Sequence, residues 1–177
     1  MSNRRNFIKK SALGTLGVSS ILSCDETNSA NIKKTYPRII STWNHGLEAN
    51  QKAWESLKNG NGGLSAVEQG VMVSEADPKI RSVGYGGYPD RDGIVTLDAC
   101  IMDKNSNCGS VSFLQNIKHP ISVARHVMED TPHVMLSGKG ALDFAVSKGF
   151  KQEDLLTDES RKDWFKWKEN SNYKPVI

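Results

Sequence analysis

The chain has 177 residues, 37% hydrophobic and 24% charged, which is typical of a globular protein and sufficient for one domain with its own core. Its formal charge of +3 depends on four basic residues near the N-terminus, namely Arg4, Arg5, Lys9 and Lys10. Without these four, 19 of the 23 basic residues remain against 20 acidic ones, so the body of the chain lacks the basic surface that nucleic acids or anionic membranes require.

The N-terminal segment, residues 1–24, contains a basic part followed by an apolar part, as an export signal does. Arg4-Arg5 precedes Phe7-Ile8-Lys9, and an uncharged, mildly apolar stretch follows that is too short to span a bilayer as a helix. The segment resembles a bacterial twin-arginine signal. The alternative is a basic terminus that carries two adjacent arginines. We expect export to the periplasm. The run that ends at Cys24 also resembles a lipoprotein cleavage site, so a lipid anchor at Cys24 stays an option.

The next segments predict a linker, a strand and a helix. Residues 25–37 are polar and end at Pro37, which favours a solvated linker before a domain at 38–177. The β-branched run Arg38–Trp43 predicts a first strand. Apolar residues at helical spacing after Leu47 predict a helix that ends at Asn59-Gly60.

A second helix, a loop and a hairpin follow in the prediction. Ser65 and Glu68 have the spacing of a capping box, which predicts the start of a helix that ends at Asp77-Pro78. Three glycines and a proline within residues 82–90 exclude regular helix and predict a shaped loop. Two strand-like runs, 93–102 and 108–114, are joined by five residues and predict a β-hairpin.

Two cysteines, Cys100 and Cys108, lie on opposite strands of this hairpin. Export would permit a disulfide, but the strand register decides whether the two sulfurs face each other. Because cysteine packs as a small hydrophobe, we expect two buried free thiols, with the disulfide as the alternative.

The remaining pattern completes a layered fold. It predicts helices at 120–129, 138–149 and 158–169 and a short strand at 133–137. The resulting order favours an α/β (α+β) layered sandwich with an antiparallel sheet over a doubly wound parallel sheet.

The histidines predict no metal site. His119 and His126 would stack on one helix face, but Thr131-Pro132 breaks the helix before His133, so a closed set of ligands does not result. The sequence also has no nucleophile elbow, no phosphate-binding loop and no His-Glu-x-x-His motif. We therefore expect no cofactor.

Several strings, in a fixed order, resemble one enzyme family. They are Ser41-Thr42-Trp43-Asn44, Ser82 to Gly87 with Pro89 to Gly93, Val95 to Asp103, Lys118 to Arg125 and Thr131 to Leu136. Together they resemble the glycosylasparaginase family over residues 38–177. The resemblance implies an N-terminal nucleophile hydrolase with an αββα sandwich, of which this chain would form the front half only.

The resemblance also implies a mechanism and a partner. Enzymes of this family arise from an inactive precursor that cleaves itself before a Thr in an Asn-His-Asp-Thr-Gly segment. The hydroxyl of that Thr attacks the amide carbon between N-acetylglucosamine and asparagine, with its own α-amine as the base. No such segment occurs here, so we expect no catalytic residue in this chain. The expected partner is a β chain from the same precursor, in a dimer of α/β heterodimers that acts on a small glycoasparagine.

One site residue, Trp43, can be matched to the family, as the α-chain indole that lines the substrate pocket. The pattern alone also permits a core tryptophan at the end of a strand. His45, two residues on, would flank the same pocket. Tyr88 stands where relatives have an Arg or a small residue, so that loop departs from the family pattern.

Two other functions stay open at this stage. The same scaffold could act as an isoaspartyl peptidase or plain asparaginase, because the residues that separate these activities lie mostly beyond Ile177. The chain could also be a truncated, non-catalytic secreted module that binds a partner through the apolar face that half a sandwich exposes.

Overall fold

The computed structural model describes residues 36–174. The predicted export signal at 1–24, its Cys24 and the predicted linker up to residue 35 lie outside the described residues. The chain from Arg38 onward forms one compact unit, Arg38–Ile177. Among the described residues, no helix is both long and apolar enough to cross a membrane.

The described chain has five helices and three strands. In chain order they are α1 (Gly46–Lys58), α2 (Gly63–Ala76), β1 (Leu97–Met102), β2 (Cys108–Leu114), α3 (Pro120–Asp130), β3 (Met135–Ser137), α4 (Gly138–Ser147) and α5 (Asp158–Asn170). The predicted helices are confirmed to within one or two residues at their ends, because each has a clear apolar periodicity and a turn-forming residue at a boundary.

Helices α1 and α2 pack against each other through small residues. A Cβ on Gly70 would lie 2.8 Å from the carbonyl oxygen of Ala49 and 3.1 Å from the Cβ of Ala53. The two backbones can therefore approach only because glycine and alanine face each other.

The capping box predicted at Ser65 and Glu68 is wrong. Helix α2 begins at Gly63, with Gly62 as its N-cap and without a side-chain cap. Both side chains instead bind Arg125 of α3, whose Nη1 donates to Ser65 Oγ at 3.1 Å and to Glu68 Oε2 at 2.7 Å. A charge-assisted hydrogen bond from the Arg125 guanidinium is stronger than a bond from a backbone N–H group, so these side chains bind Arg125 and do not cap the helix.

The sheet has the order β1-β2-β3 and is mixed. Strands β1 and β2 form the predicted hairpin, except that β1 begins at Leu97 rather than at residue 93. Asp103 closes its five-residue loop by accepting the backbone N–H groups of Asn105 and Asn107. Strand β3 instead pairs parallel to β2. The expectation of an antiparallel sheet is thus wrong for this pair, because helix α3 forms a crossover connection between β2 and β3.

A β-bulge interrupts the hairpin. Leu97 pairs with Leu114 and Ala99 with Val111, so Asp98 of β1 faces both Ser112 and Phe113 of β2. Phe113 has a φ of 51°, in the left-handed region. Asp98 compensates by accepting the Phe113 N–H at 2.8 Å, which fixes the extra residue in place.

The core lies between helix α3 and one face of the sheet. Its largest fully buried side chains include Val111, Leu114, Val123 and Val127. On β2, Gly109 lets α3 approach closely, since a Cβ there would overlap the carbonyl oxygen of Ala124. This packing places a helical layer on one face of the sheet, while the αββα sandwich itself stays a prediction.

The opposite face of the sheet carries the two cysteines. Cys100 and Cys108 are free thiols, as predicted, but both are exposed, so the predicted burial is wrong. The register pairs Cys100 with Ser110 and Cys108 with Met102. Strand alternation therefore places both sulfurs on the face away from α3, where Met102 is also exposed.

The strand predicted at Arg38–Trp43 is wrong. Residues 36–40 have no regular structure, and bends and a turn follow up to α1. Ile40 is 88% exposed and Trp43 is 73% exposed. A β-branched run forms a strand only beside a hydrogen-bonding partner, and none of the strands within residues 36–174 pairs with this segment.

Candidate functional site

The segment that carries Trp43 is a turn that leads into α1. Gly46 N–H donates to the Trp43 carbonyl at 2.9 Å, and Leu47 N–H donates to the Asn44 carbonyl at 3.2 Å. Ser41 Oγ donates to Asn50 Oδ1 across the turn. These bonds fix the backbone while the indole stays 73% exposed. Trp43 is thus not a core tryptophan of the described unit.

His45 stands at the N-cap position of α1 and faces α2. Its Nδ1 lies 3.2 Å from Ser74 Oγ. A serine next to a histidine could in principle act as a nucleophile, but Ser74 is only 7% exposed. The serine hydroxyl therefore has no open path to a substrate, and the pair ties α1 to α2.

The glycine-rich loop predicted at residues 82–90 is confirmed. Gly84 and Gly86 have φ values of 59° and 82°, in the left-handed region. A Cβ at Gly84 would lie 2.0 Å from the carbonyl oxygen of Glu75. The loop is held by Tyr85 N–H on the Glu75 carbonyl and by Gly86 N–H on the Leu155 carbonyl, each at 2.8 Å.

A second anchor joins this loop to α5. Ser160 is fully buried and its hydroxyl donates to the Gly86 carbonyl, while Arg81 Nη1 donates to Ser160 Oγ. Thr157 caps α5 by accepting the Ser160 N–H at 3.3 Å. The loop is therefore fixed by α2 at one side and by α5 at the other.

A buried carboxylate, Glu75, is the main polar centre of the described chain. It is 3% exposed, and it accepts the Ile121 N–H at 3.0 Å and lies 3.1 Å from His119 Nδ1. Burial raises the pKa of Glu75, against the opposing effects of the hydrogen bonds from His119 and Ile121. Its carboxylate satisfies a backbone N–H in the first turn of α3.

The histidines are held apart by separate partners. His119 binds Glu75, and His126 Nδ1 lies 2.7 Å from Asp130 Oδ2. In the part of the chain that the structure describes, no group of three or more His, Cys, Asp or Glu side chains could hold a metal ion.

The site residues do not converge on one pocket. A cavity of about 330 Å³ is bordered by Glu75, Gly84 and Asp98, and Trp43 is not among its lining residues. The described residues thus provide an exposed indole and a rigid loop, and they contain no exposed nucleophile paired with a base. Glu75 and Ser160 carry no sequence signal, because a single Glu in a helix and a single Ser near a cap match no motif.

The comparisons with known proteins identify the family. Its sequence profile, described as asparaginase, matches residues 29–176. The chain belongs to this asparaginase family. Among its relatives, the N(4)-(β-N-acetylglucosaminyl)-L-asparaginase of Elizabethkingia miricola is 54% identical over 183 aligned positions, which cover 99% of this chain and 53% of the relative. The enzyme of the same name from Rattus norvegicus is 43% identical over 141 positions, 77% of this chain and 41% of the relative.

The asparaginase family membership agrees with the resemblance found in the sequence strings. The chain spans about half the length of the Elizabethkingia relative, so the other half of such a protein has no counterpart in these residues. The mixed α/β architecture of the described unit is consistent with this family.

Proposed function

We propose that this chain is the α-chain portion of an exported amidohydrolase that cleaves the amide bond between N-acetylglucosamine and asparagine in glycoasparagines. The observation that carries the proposal is the 54% identity, over 99% of the chain, to a relative whose name states this activity. A relative of the same name from a distant organism supports it.

The proposed chemistry uses a threonine at the N-terminus of a β chain. Its hydroxyl attacks the side-chain amide carbon of the glycoasparagine, and its own α-amine takes the hydroxyl proton. The α-ammonium then gives this proton to the amide nitrogen as the C–N bond breaks, the sugar leaves as its glycosylamine, and an aspartyl ester remains on the threonine. Water then hydrolyses this ester and releases aspartate.

The described residues would contribute a wall of the substrate pocket and a rigid loop beside it. The Trp43 indole is 73% exposed on a hydrogen-bonded turn, which suits an apolar wall of the substrate pocket. The loop at residues 82–93 is fixed at both sides, by Glu75 and by Ser160. Fixed walls are what amide hydrolysis needs, because catalysis depends on positioning the amide carbon against the nucleophile.

The proposed β chain would cover the open face of the sheet. Cys100, Met102 and Cys108 are exposed on that face, and Ile40 and Trp43 are exposed beside α1. An αββα sandwich would place its second sheet on the face away from α3 and would supply a partner for the segment before α1. Two such heterodimers would pair in the complete enzyme.

We further propose that residues 1–24 direct export to the periplasm through a twin-arginine signal. Replacing both Arg4 and Arg5 by Lys keeps the charge and removes the arginine pair. The variant is expected to stay in the cytoplasm while the wild type reaches the periplasm. A Cys24→Ser variant in the same experiment, followed by mass measurement, tests the lipid anchor at Cys24.

The experiment that tests the α-chain assignment is to read the coding sequence after the Ile177 codon. A frame that continues into an Asn-His-Asp-Thr segment supports the proposal, and N-terminal sequencing of the purified protein should then find a second chain that begins with that Thr. A stop codon directly after Ile177 would contradict the assignment, since the chain would then have no nucleophile.

A further inference from the structure

A cavity lies between α5 and the loop at residues 88–92, and Trp43 is not among its lining residues. Its volume is about 1040 Å³, close to the upper limit for small-ligand sites. Four aromatic side chains, Tyr88, Trp164, Trp167 and Tyr173, line it together with Pro89. Apart from Trp164, these aromatics are exposed, from 43% at Trp167 to 58% at Tyr88, so part of their surface is accessible to a ligand.

A hydrogen bond and close packing hold the walls of this cavity in place. Trp164 donates its indole N–H to the Arg91 carbonyl at 3.3 Å. Its ring packs directly on Gly93, where a Cβ would come within 2.8 Å of the indole. The rings of Trp167 and Tyr173 lie 5.7 Å apart at 41° to each other. Two ring faces at this angle form an open aromatic corner.

The charges around the cavity favour a neutral ligand. Three carboxylates, of Asp90, Asp92 and Asp163, and two cations, of Arg91 and Lys166, line it. Most of these groups already have partners. Asp90 accepts the N–H groups of Asp92 and Ile94, Arg91 Nε lies 3.4 Å from Asp92, and Asp163 lies 4.0 Å from Arg81. Because these charges of both signs are already paired, neither an anionic nor a cationic ligand would gain a strong ion pair in the cavity.

We propose that this cavity binds a neutral carbohydrate, of the size of a disaccharide. The C–H face of a pyranose ring is apolar and weakly positive, so it stacks on the negative face of an indole or phenol ring. Its hydroxyls need planar donors and acceptors, which the Asp carboxylates, the Arg91 guanidinium and the Asn170 amide provide. Asn170 already donates through Nδ2 to the Lys166 carbonyl, which orients its side-chain oxygen as an acceptor. The site goes beyond the proposed hydrolysis and needs no nucleophile.

The test measures binding to the complete native protein by calorimetry and by tryptophan fluorescence. The probes are N,N′-diacetylchitobiose and cellobiose, which lack the asparagine amide and so do not depend on hydrolysis. We expect saturable binding of at least one disaccharide in the millimolar range. Trp167→Ala should weaken it about three- to tenfold, the effect of one aromatic contact, and Trp167→Phe should restore part of it.

The matched control is Trp54→Ala, since the Trp54 indole is 39% exposed on α1 and does not line the cavity. This variant should bind as the wild type does. Failure of both disaccharides to bind would overturn the proposal, as would equal binding by Trp167→Ala. Saturable binding of tetramethylammonium without disaccharide binding would also overturn it, because the aromatic corner would then be a cation site. Hydrolysis of a glycoasparagine, assayed separately, is expected to be independent of these outcomes.

Discussion

Glu75 of α2 and His119, which precedes α3, are joined by a contact of 3.1 Å between a carboxylate oxygen and Nδ1. The other carboxylate oxygen accepts the Ile121 N–H at 3.0 Å, and the Glu75 carbonyl accepts the Tyr85 N–H at 2.8 Å. A single residue thus connects α2, the first turn of α3 and the glycine-rich loop. Burial raises the pKa of Glu75, so this connection depends on pH.

The first prediction concerns Glu75→Gln. A carboxyl whose pKa is raised on folding binds its proton more tightly in the folded state, so the contribution of Glu75 to stability falls as the pH rises from the usual glutamate pKa through the raised one. Gln keeps an acceptor for Ile121 and a donor for His119 but does not titrate. Its stability relative to wild type should therefore increase with pH across that window, measured by urea unfolding at a series of pH values.

The control for this prediction is Glu75→Ala, which leaves the Ile121 N–H without an acceptor and His119 without a partner. It should be less stable than wild type by about 1–3 kcal/mol below the window, and this deficit should shrink as the pH rises through the window, because alanine does not titrate either. Glu68, which also faces Glu75 on α2, is common to all three proteins. A constant difference between Glu75→Gln and wild type across the window would refute the predicted titration.

The second prediction concerns Gly84→Ala. Gly84 combines a φ of 59° with a Cβ position 2.0 Å from the Glu75 carbonyl oxygen. Alanine should lower the free energy of unfolding by several kcal/mol, because both the backbone conformation and the space exclude it. Gly63→Ala is the control, since a Cβ there meets no atom within 4 Å. Equal thermal stability of the two variants would mean that the loop is not packed as described.

The third prediction concerns Arg125→Ala. Arg125 is 24% exposed, and it binds Glu68 at 2.7 Å and Glu129 at 2.9 Å. Its loss leaves Glu68, 15% exposed, without its partner, and the free energy of unfolding should fall by about 1–3 kcal/mol. Lys139→Ala removes the ion pair with Asp143, in which the lysine side chain is 84% exposed, and should change the free energy of unfolding little. A similar urea midpoint for both variants would contradict the predicted role of Arg125 between α2 and α3.

Local patterns predicted the helices and the hairpin, because these depend on periodicity and turn residues within a short window. The strand at Arg38–Trp43 was predicted wrongly because a strand needs a partner, which the local sequence cannot show. No local pattern predicts the contacts of Glu75 and Ser160, because the partners of both residues are far away in sequence. Ile121 lies 46 residues after Glu75, and Arg81 lies 79 residues before Ser160.

The fourth prediction concerns Trp43→Ala in the complete enzyme. Because the indole is 73% exposed in the described unit, its loss should change the melting temperature of this unit little. Loss of an aromatic pocket wall should lower kcat/KM for a glycoasparagine by about tenfold, which corresponds to about 1.4 kcal/mol. Trp43→Phe should retain part of the activity. Trp54→Ala, at an indole that lies near Lys58, serves as the comparison and should leave kcat/KM unchanged.

The central claim is tested most directly by the substrate preference of the complete protein. Aspartate release is measured from N4-(β-N-acetylglucosaminyl)-L-asparagine, from a β-aspartyl dipeptide and from free asparagine at equal concentrations. The account predicts that kcat/KM is highest for the glycoasparagine. A protein that hydrolyses the β-aspartyl dipeptide or asparagine in preference would contradict the glycosylasparaginase assignment, and one that hydrolyses none of the three would contradict the assignment as an amidohydrolase.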